Sequence, residues 1–308
     1  MIRSPSVRVK VPSKTFLLGE YAVLHKKNSL IVNHGPLFCF DFYQKPGAVI
    51  DFHPQSLAGK LTKNNSNILE DYFVHVSDPY RGLGGLGLSS AEFVATWMLL
   101  EYLDHGDGSV VITDLIAAFL EVIFVLEDPP SGADIIAQCQ DNVLSIIGVD
   151  PFAVKAINWP FKAVDVVLFH TLQHCKTSDH VKKDLFVPTE LLVASEHGIA
   201  AVEADDLSAF VENVKRFVNV QDQAGLLSKN TKQHLDKLNK LKGVHVSKGC
   251  GALGCDVIAV FCDVLVRDVV LQFGSSLGLV PLYCDINRKH GLGSKRVCYD
   301  DQEKVGGQ

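Results

Sequence analysis

What the 308-residue sequence lacks limits its function before any motif is read. No stretch approaches the roughly 18 consecutive apolar residues that cross a bilayer. The start, Met1-Ile2-Arg3-Ser4-Pro5, has no long apolar segment of the signal-peptide kind. The expectation is a cytoplasmic protein with no membrane partner. A basic excess is missing too: 29 Lys and Arg against 35 Asp and Glu give a formal net charge of −6. Nucleic-acid binding proteins normally show a basic stripe, so nucleic acid is not an expected partner. There is no GxxxxGK[ST] phosphate loop, because Lys248 precedes its glycines instead of following them. Internal repeats and low-complexity tracts are absent, and so are CxxC pairs. The eight cysteines, Cys39, Cys139, Cys175, Cys250, Cys255, Cys262, Cys284 and Cys298, are scattered through apolar or glycine-rich segments. Buried thiols are therefore expected rather than a disulfide framework. Cys250 and Cys255 do not have the spacing of a structural zinc site.

What is present is a globular composition, 47% hydrophobic and 21% charged, with length for two domains of ordinary size. Apolar alternation over residues 7–11, 16–24 and 35–42 predicts strands of a mixed sheet. Residues 55–67 read as a polar loop before a short run at 72–76. A helix is expected over 91–103, with Ser89 and Ser90 as N-cap candidates. A second spans 115–126, ended by Pro129-Pro130, and a third starts after Ser131-Gly132 and packs on it. Residues 164–170 form a near-continuous apolar run with β-branched residues, hence a buried strand, with a domain boundary just before it (1–158 and 159–308). Helices over 190–217, 230–241 and 264–277 and strands over 257–262 and 279–285 complete the pattern.

The segment richest in chemistry is Gly82-Leu83-Gly84-Gly85-Leu86-Gly87-Leu88-Ser89-Ser90, running straight into a helix. Glycine permits positive φ and close ligand approach, and a helix start offers free N–H groups to an anion such as phosphate. A flexible turn with an N-cap is the bland reading of the same letters. They also satisfy GxGxxG, but that dinucleotide fingerprint needs a preceding first strand and an acid closing the second, and neither Asp107 nor Asp114 ends an evident strand. A second glycine segment, Lys248 to Asp256, leads into the strand at Val257, and reads as either a tight turn or a phosphate wall. Pro12-Ser13-Lys14 puts a lysine on a strand, and Ser131-Gly132-Ala133-Asp134 puts an acid at a helix start, where capping is the default role.

The order of these segments resembles the GHMP kinases (galactokinase, homoserine kinase, mevalonate kinase, phosphomevalonate kinase) along nearly the whole chain. Pro12-Ser13-Lys14 through Gly19-Glu20-Tyr21-Ala22-Val23 is similar to the family's P-G-K-x-x-x-x-G-E-[HY]-A-V, with Ser13 replacing a glycine. Gly85-Leu86-Gly87-Leu88-Ser89-Ser90-Ala91 resembles G-L-G-S-S-A with Leu88 added. Pro130-Ser131-Gly132-Ala133-Asp134 resembles P-S-G-x-D, and Lys248 to Asp256 resembles K-x-[ST]-G-A-G-G-G with Leu253 in a glycine's place. Residues 171–181 are similar to T-x-x-x-x-S-T-x-x-L-V, with Lys176 replacing the serine and Thr177 retained. Asp141-Asn142 stands where the family has a glycine pair.

The resemblance implies an α+β fold with a ribosomal-S5-like N-terminal half and a ferredoxin-like C-terminal half, and ATP and Mg²⁺ as cofactors. Asp134 would accept or orient the substrate hydroxyl proton, with Lys14 in contact with it. The ATP phosphates would lie on Gly85, Leu86, Gly87, Leu88, Ser89 and Ser90 and on Gly251, Ala252 and Gly254. Ser89 and Ser90, with Glu121 or Glu127, would hold the metal. Glu20, Tyr21, Ser131, Gly132, His174, Lys176 and Thr177 would bind substrate, with His170, His174, Lys176 and His180 as a basic cluster. Pro130-Ser131-Gly132 and the short length favour mevalonate as acceptor; Tyr21 and Asp256 favour phosphomevalonate. A monomer or homodimer is implied. A nucleotide-holding regulatory protein of the same fold is the alternative of another class, and a nicotinamide-dependent oxidoreductase stands behind it.

Overall fold

The computed structural model describes residues 5–106, 111–127, 129–140, 143–173, 187–287 and 297–299. In chain order these form β1 (Val7–Leu18), β2 (Ser29–Gln44), α1 (Leu57–Asn64), α2 (Ser66–Leu69), β3 (Tyr72–Ser77), α3 (Leu88–His105), α4 (Ile112–Ile123), α5 (Ala133–Gln138), β4 (Leu144–Val149), β5 (Phe152–Ile157), β6 (Val164–His170), α6 (Thr189–Glu203), α7 (Leu207–Gln223), α8 (Lys229–Leu238), β7 (Val244–Cys250), β8 (Val257–Asp263), α9 (Arg267–Ser276), β9 (Val280–Leu282) and β10 (Val297–Tyr299). The fold class is α+β, as the sequence led us to expect. One sheet runs β10-β1-β2-β4-β5 with β3 also paired to β2, and the other runs β7-β8-β6-β9.

Side-chain alternation explains how the second sheet is buried on both faces. Val164, Val166 and Leu168 of β6 and Val257, Ala259 and Phe261 of β8 enter the main core, while Val167, Phe169, Ile258, Val260 and Cys262 enter a second core under α8 and α9. The main core also takes Val7, Val9 and Val11 of β1 and the inner face of α3, so both sheets share it. Trp159, Phe161, Phe210 and Phe261 join them edge to face or stacked, with ring centroids 4.9 to 6.0 Å apart. The expected boundary at 158/159 falls beside this aromatic cluster. The chain also crosses back: β10, far beyond that boundary, pairs with β1.

Several expected elements shift for physical reasons. The helix expected over 190–217 is two, because Asp205 takes a left-handed φ of 56° and the Asp206 carboxylate caps α7 by accepting the Ala209 amide at 2.9 Å. The expected last strand shrinks to β9. Cys39, Cys139, Cys250, Cys262 and Cys284 are thiols, whereas Cys255 is disulfide-bonded, against the expectation of thiols throughout.

Candidate active site

The glycine turn is held from below by Asp78, whose carboxylate accepts the amides of Tyr80 at 2.8 Å and Gly82 at 2.5 Å. Gly85 and Gly87 take left-handed φ of 76° and 89°, and Gly87 is itself the N-cap of α3. The helix therefore starts at Leu88, and Ser89 and Ser90 lie in its first turn instead of capping it. Leu88, which lengthens the turn relative to the family motif, is the first helical residue and packs partly against the main core. Among the described residues no side chain caps this end, and the Ala91 amide is the first to bond back, to Gly87 O at 2.9 Å. The N–H groups of Leu88, Ser89 and Ser90 thus have no partner within the helix and suit an anion. Ser89 is exposed; Ser90 is buried, its hydroxyl donating to Gly87 O at 3.0 Å. Leu86 is buried beneath the turn.

Three motifs converge on Gly87. The Lys14 amide donates to Leu86 O at 3.1 Å, tying β1 to the turn. A Cβ on Gly87 would come within 3.0 Å of Lys14 Cε and 2.9 Å of Gln138 Nε2, so only glycine lets the lysine cross here. Gln138, at the end of α5, donates to both Pro12 O at 2.7 Å and Gly87 O at 3.0 Å. One turn earlier on α5, Asp134 is half-buried, with Oδ1 accepting the Ile135 amide at 3.1 Å. The expected contact between Lys14 and Asp134 is not formed: Lys14 Nζ lies over the Phe16 ring, 4.9 Å from its centroid. Its long, flexible stem lets the charge settle on this π face. Gly132, left-handed at φ 77°, packs on Phe119, and the Ser131 hydroxyl accepts the Ala133 amide at 3.4 Å.

The closing segment folds against the first turn through Asp256. A Cβ on Gly85 would lie 2.7 Å from Asp256 Oδ2, and one on Gly251 would lie 2.8 Å from the same oxygen, so a buried carboxylate sits between the two glycine segments. The short 3-10 turn Ala252–Gly254 contains Leu253 at φ 54°, where the family's glycine would carry no strain. The opening residue of the 171–181 segment latches on here: Thr171 donates its hydroxyl to Cys255 O and its amide to Asp256 O at 3.0 Å. His170, of the expected basic cluster, binds backbone on both ring nitrogens. It is buried, with Nε2 3.1 Å from Gly84 O and Nδ1 accepting the Leu172 amide at 3.0 Å, so it pins the turn to the second sheet.

Glu20 and Tyr21, expected at the substrate, lie in the interior. Glu20 Oε1 pairs with Lys248 Nζ, whose side chain has no exposed surface; the lysine also donates to Gly249 O at 3.0 Å and lies 4.7 Å from the Phe217 centroid. Burial opposes its charge, but Cys250 and Glu20 beside it together outweigh that, and its pKa is raised. Tyr21 is buried next to Gln221 and Leu253, and burial with the Glu20 charge pushes its hydroxyl up to about 12. Glu121 lies exposed on α4 and Glu127 exposed beyond it; among the described residues no hydrogen bond or ion pair joins either to Ser89 or Ser90. His174, Lys176, Thr177, His180 and Asp141-Asn142 fall outside the described residues. Gln138, Asp256 as a contact of the first turn, and the Glu20–Lys248 pair were not found by sequence reasoning, since each joins segments far apart in the chain.

No family model and no curated protein matches the sequence. Solved structures do. Streptococcus pneumoniae phosphomevalonate kinase in complex with phosphomevalonate and AMPPNP superposes with a TM-score of 0.75 at 17% identity, over 90% of this chain and 99% of that one. Methanococcus jannaschii mevalonate kinase gives 0.70 at 12% identity over 92% and 99%. Lactococcus lactis galactokinase complexed with galactose gives 0.70 at 11% over 90% and 93%. With two antiparallel sheets, an uncapped helix after the glycine turn and the motifs in this order, the chain has the fold of the GHMP kinases.

Proposed function

We propose that this chain is an ATP-dependent phosphotransferase that passes the γ-phosphoryl group to an isoprenoid-precursor alcohol, with mevalonate as the first acceptor. One observation carries the reading. Gln138 bonds Pro12 and Gly87 at once, so the strand of Lys14, the glycine turn and the helix of Asp134 meet at a single side chain. Phosphoryl transfer asks a protein mainly for positioning and charge stabilisation.

The free amides at the start of α3 and the glycine at residue 87 suit the phosphates of ATP. Lys14 would leave Phe16 to stabilise the transferring group, and Asp134 would take or orient the acceptor proton, each meeting the substrate without needing to touch the other. The donor set suits Mg²⁺, which is held through one or two carboxylates or hydroxyls and substrate phosphates. Ser89 and Ser90 would supply the hydroxyls. We assign the carboxylate to Asp256, against Gly85, ahead of the exposed Glu121 and Glu127. Held there, Mg²⁺ would supply positive charge to offset that of the ATP phosphates. The same Asp256, which resembles the closing residue of phosphomevalonate kinases, favours phosphomevalonate as the alternative acceptor, and His174, Lys176 and Thr177 would bind its anionic groups.

An assay coupling ADP release to NADH oxidation, run on mevalonate, phosphomevalonate, homoserine and galactose, tests the reading. Turnover with mevalonate or phosphomevalonate, lowered on the order of 100- to 10,000-fold by Asp134→Asn, is expected. Silence on all four alongside tight ATP binding would favour the regulatory alternative.

A further inference from the structure

Lys14 stands on β1 between two hydroxyl residues whose side chains face the opposite side of the strand and meet one imidazole. Ser13 Oγ is 2.9 Å from His34 Nδ1, and Thr15 Oγ1 is 3.0 Å from His34 Nε2. All three are buried: Ser13 is 0%, Thr15 2% and His34 1% exposed. The register sets this up, with Ser13 opposite His34 and Lys14 opposite Asn33, directly after a β-bulge between Val11 and Ser13. Ser13 Oγ also lies 2.6 Å from the Tyr80 hydroxyl and 2.8 Å from His34 O, and the Tyr80 hydroxyl donates to Pro36 O at 2.8 Å.

Donors and acceptors can be assigned along this chain. Tyr80 has one proton and gives it to Pro36 O. Ser13 gives its own to an oxygen, either the Tyr80 hydroxyl or His34 O. Nδ1 then carries the ring proton and donates to Ser13, which leaves Nε2 to accept from Thr15. Burial, helped by the nearby Lys14 charge, lowers the ring's pKa to about 4, so the neutral form that this assignment needs is the one present. From Tyr80 the network continues into the glycine turn through Asp78, and from Lys14 through its amide bond to Leu86 O.

We infer that His34 is a positioning residue: by holding Ser13 and Thr15 on one side of β1, it fixes the direction in which Lys14 leaves the other side, toward Gly87. Ser13, where the family motif has glycine, is the link that makes this possible. The inference rests on the proposed kinase function, which gives Lys14 its role.

The test is a double-mutant cycle with a second readout. Thr15→Val removes one hydroxyl at nearly constant volume, and His34→Gln keeps a donor and an acceptor near Nε2 but loses the Ser13 link. Each should lower kcat about 10-fold to 100-fold while leaving KM for ATP within about twofold, the scale of a misplaced reacting group. In a Lys14→Met background the same changes should lower the residual rate less than about twofold, because the group they position is gone. Independently, in protein with ¹³C-dimethylated lysines, the resonance assigned to Lys14 by its loss in Lys14→Arg should move in both variants while the other lysines stay in place. Equal rate losses in both backgrounds, or an unmoved Lys14 signal in variants that melt like the wild type, would overturn the inference. Should the unaltered chain phosphorylate no acceptor, the proposed function fails separately, and the lysine spectrum still decides whether His34 sets Lys14. If His34→Gln does not fold, Thr15→Val carries both readouts.

Discussion

Replacing Glu20 by Gln strands Lys248, whose side chain has no exposed surface, in the interior without its counter-charge. Removing one partner of a buried ion pair typically costs about 3–5 kcal/mol, because the remaining charge stays desolvated. The lower end applies here. Lys248 keeps the Gly249 carbonyl at 3.0 Å and the Phe217 face at 4.7 Å, and Glu20 Oε2 is already buried with no hydrogen-bond partner among the described residues. A loss of about 3 kcal/mol is therefore expected, read from urea unfolding as a lower midpoint at unchanged slope. Lys248→Met should cost a similar amount by leaving Glu20 uncompensated. The double variant Glu20→Leu with Lys248→Met should return to within about 2 kcal/mol of the wild type, since two apolar side chains need no pairing. KM for the acceptor should not rise in a Glu20→Gln protein that remains folded. A stability loss under about 1 kcal/mol together with a raised acceptor KM would refute the reasoning and return Glu20 to the substrate, where family resemblance had put it.

Gly87→Ala should destabilise by at least about 1–2 kcal/mol, the cost of a Cβ in the left-handed region, and should weaken ATP binding because the methyl displaces Lys14 and Gln138; fluorescence titration with a nucleotide analogue and a thermal melt check both. His34 has a folded pKa of about 4 against an ordinary 6.5, so below pH 6.5 the unfolded chain takes the proton first and stability falls as pH drops toward 4. This accounts for roughly 3 kcal/mol across that window, and unfolding curves of His34→Gln between pH 7 and pH 4 should be flatter than those of the wild type by that amount. Glu92, half-buried in the second turn of α3, has its pKa raised by burial to about 7. Its folded form takes the proton first, so its contribution is favourable at low pH and is lost as pH rises from 4.5 through 7. Glu92→Gln should therefore raise the melting temperature at pH 8 and have little effect near pH 4.

Elements buried on both faces were easiest to read from the sequence. Strand β6, Val164–His170, is legible with its bounds because a strand covered on both sides is mostly apolar, here interrupted only by Asp165, which pairs with Arg267, before the closing His170. The start of α3 was misread because a serine usually caps, whereas here Gly87 turns the chain into the helix and frees Ser89 and Ser90 for its first turn. The break before α7 carries its own signal in Asp206, hidden by a hydrophobic pattern that continues across it. Strand β10 was missed: Val297–Tyr299 is too short to show a period and owes its place to pairing with β1. The site divided along the same line. Lys14, the glycine turn and Asp134 were visible as local letters in order. The Glu20 partner lies 228 residues away, and Gln138 and His34 look like ordinary core residues until the strands are paired.

The central claim is that this chain moves a phosphoryl group from ATP to a mevalonate-type alcohol. A ³¹P NMR time course of the protein with ATP, Mg²⁺ and mevalonate tests it most directly, because it separates transfer from hydrolysis. The account predicts a phosphomonoester signal growing in step with ADP, with phosphomevalonate in the same tube format giving a diphosphate signal if it is the acceptor instead. Inorganic phosphate alone, or ATP left unchanged with either alcohol, would contradict it.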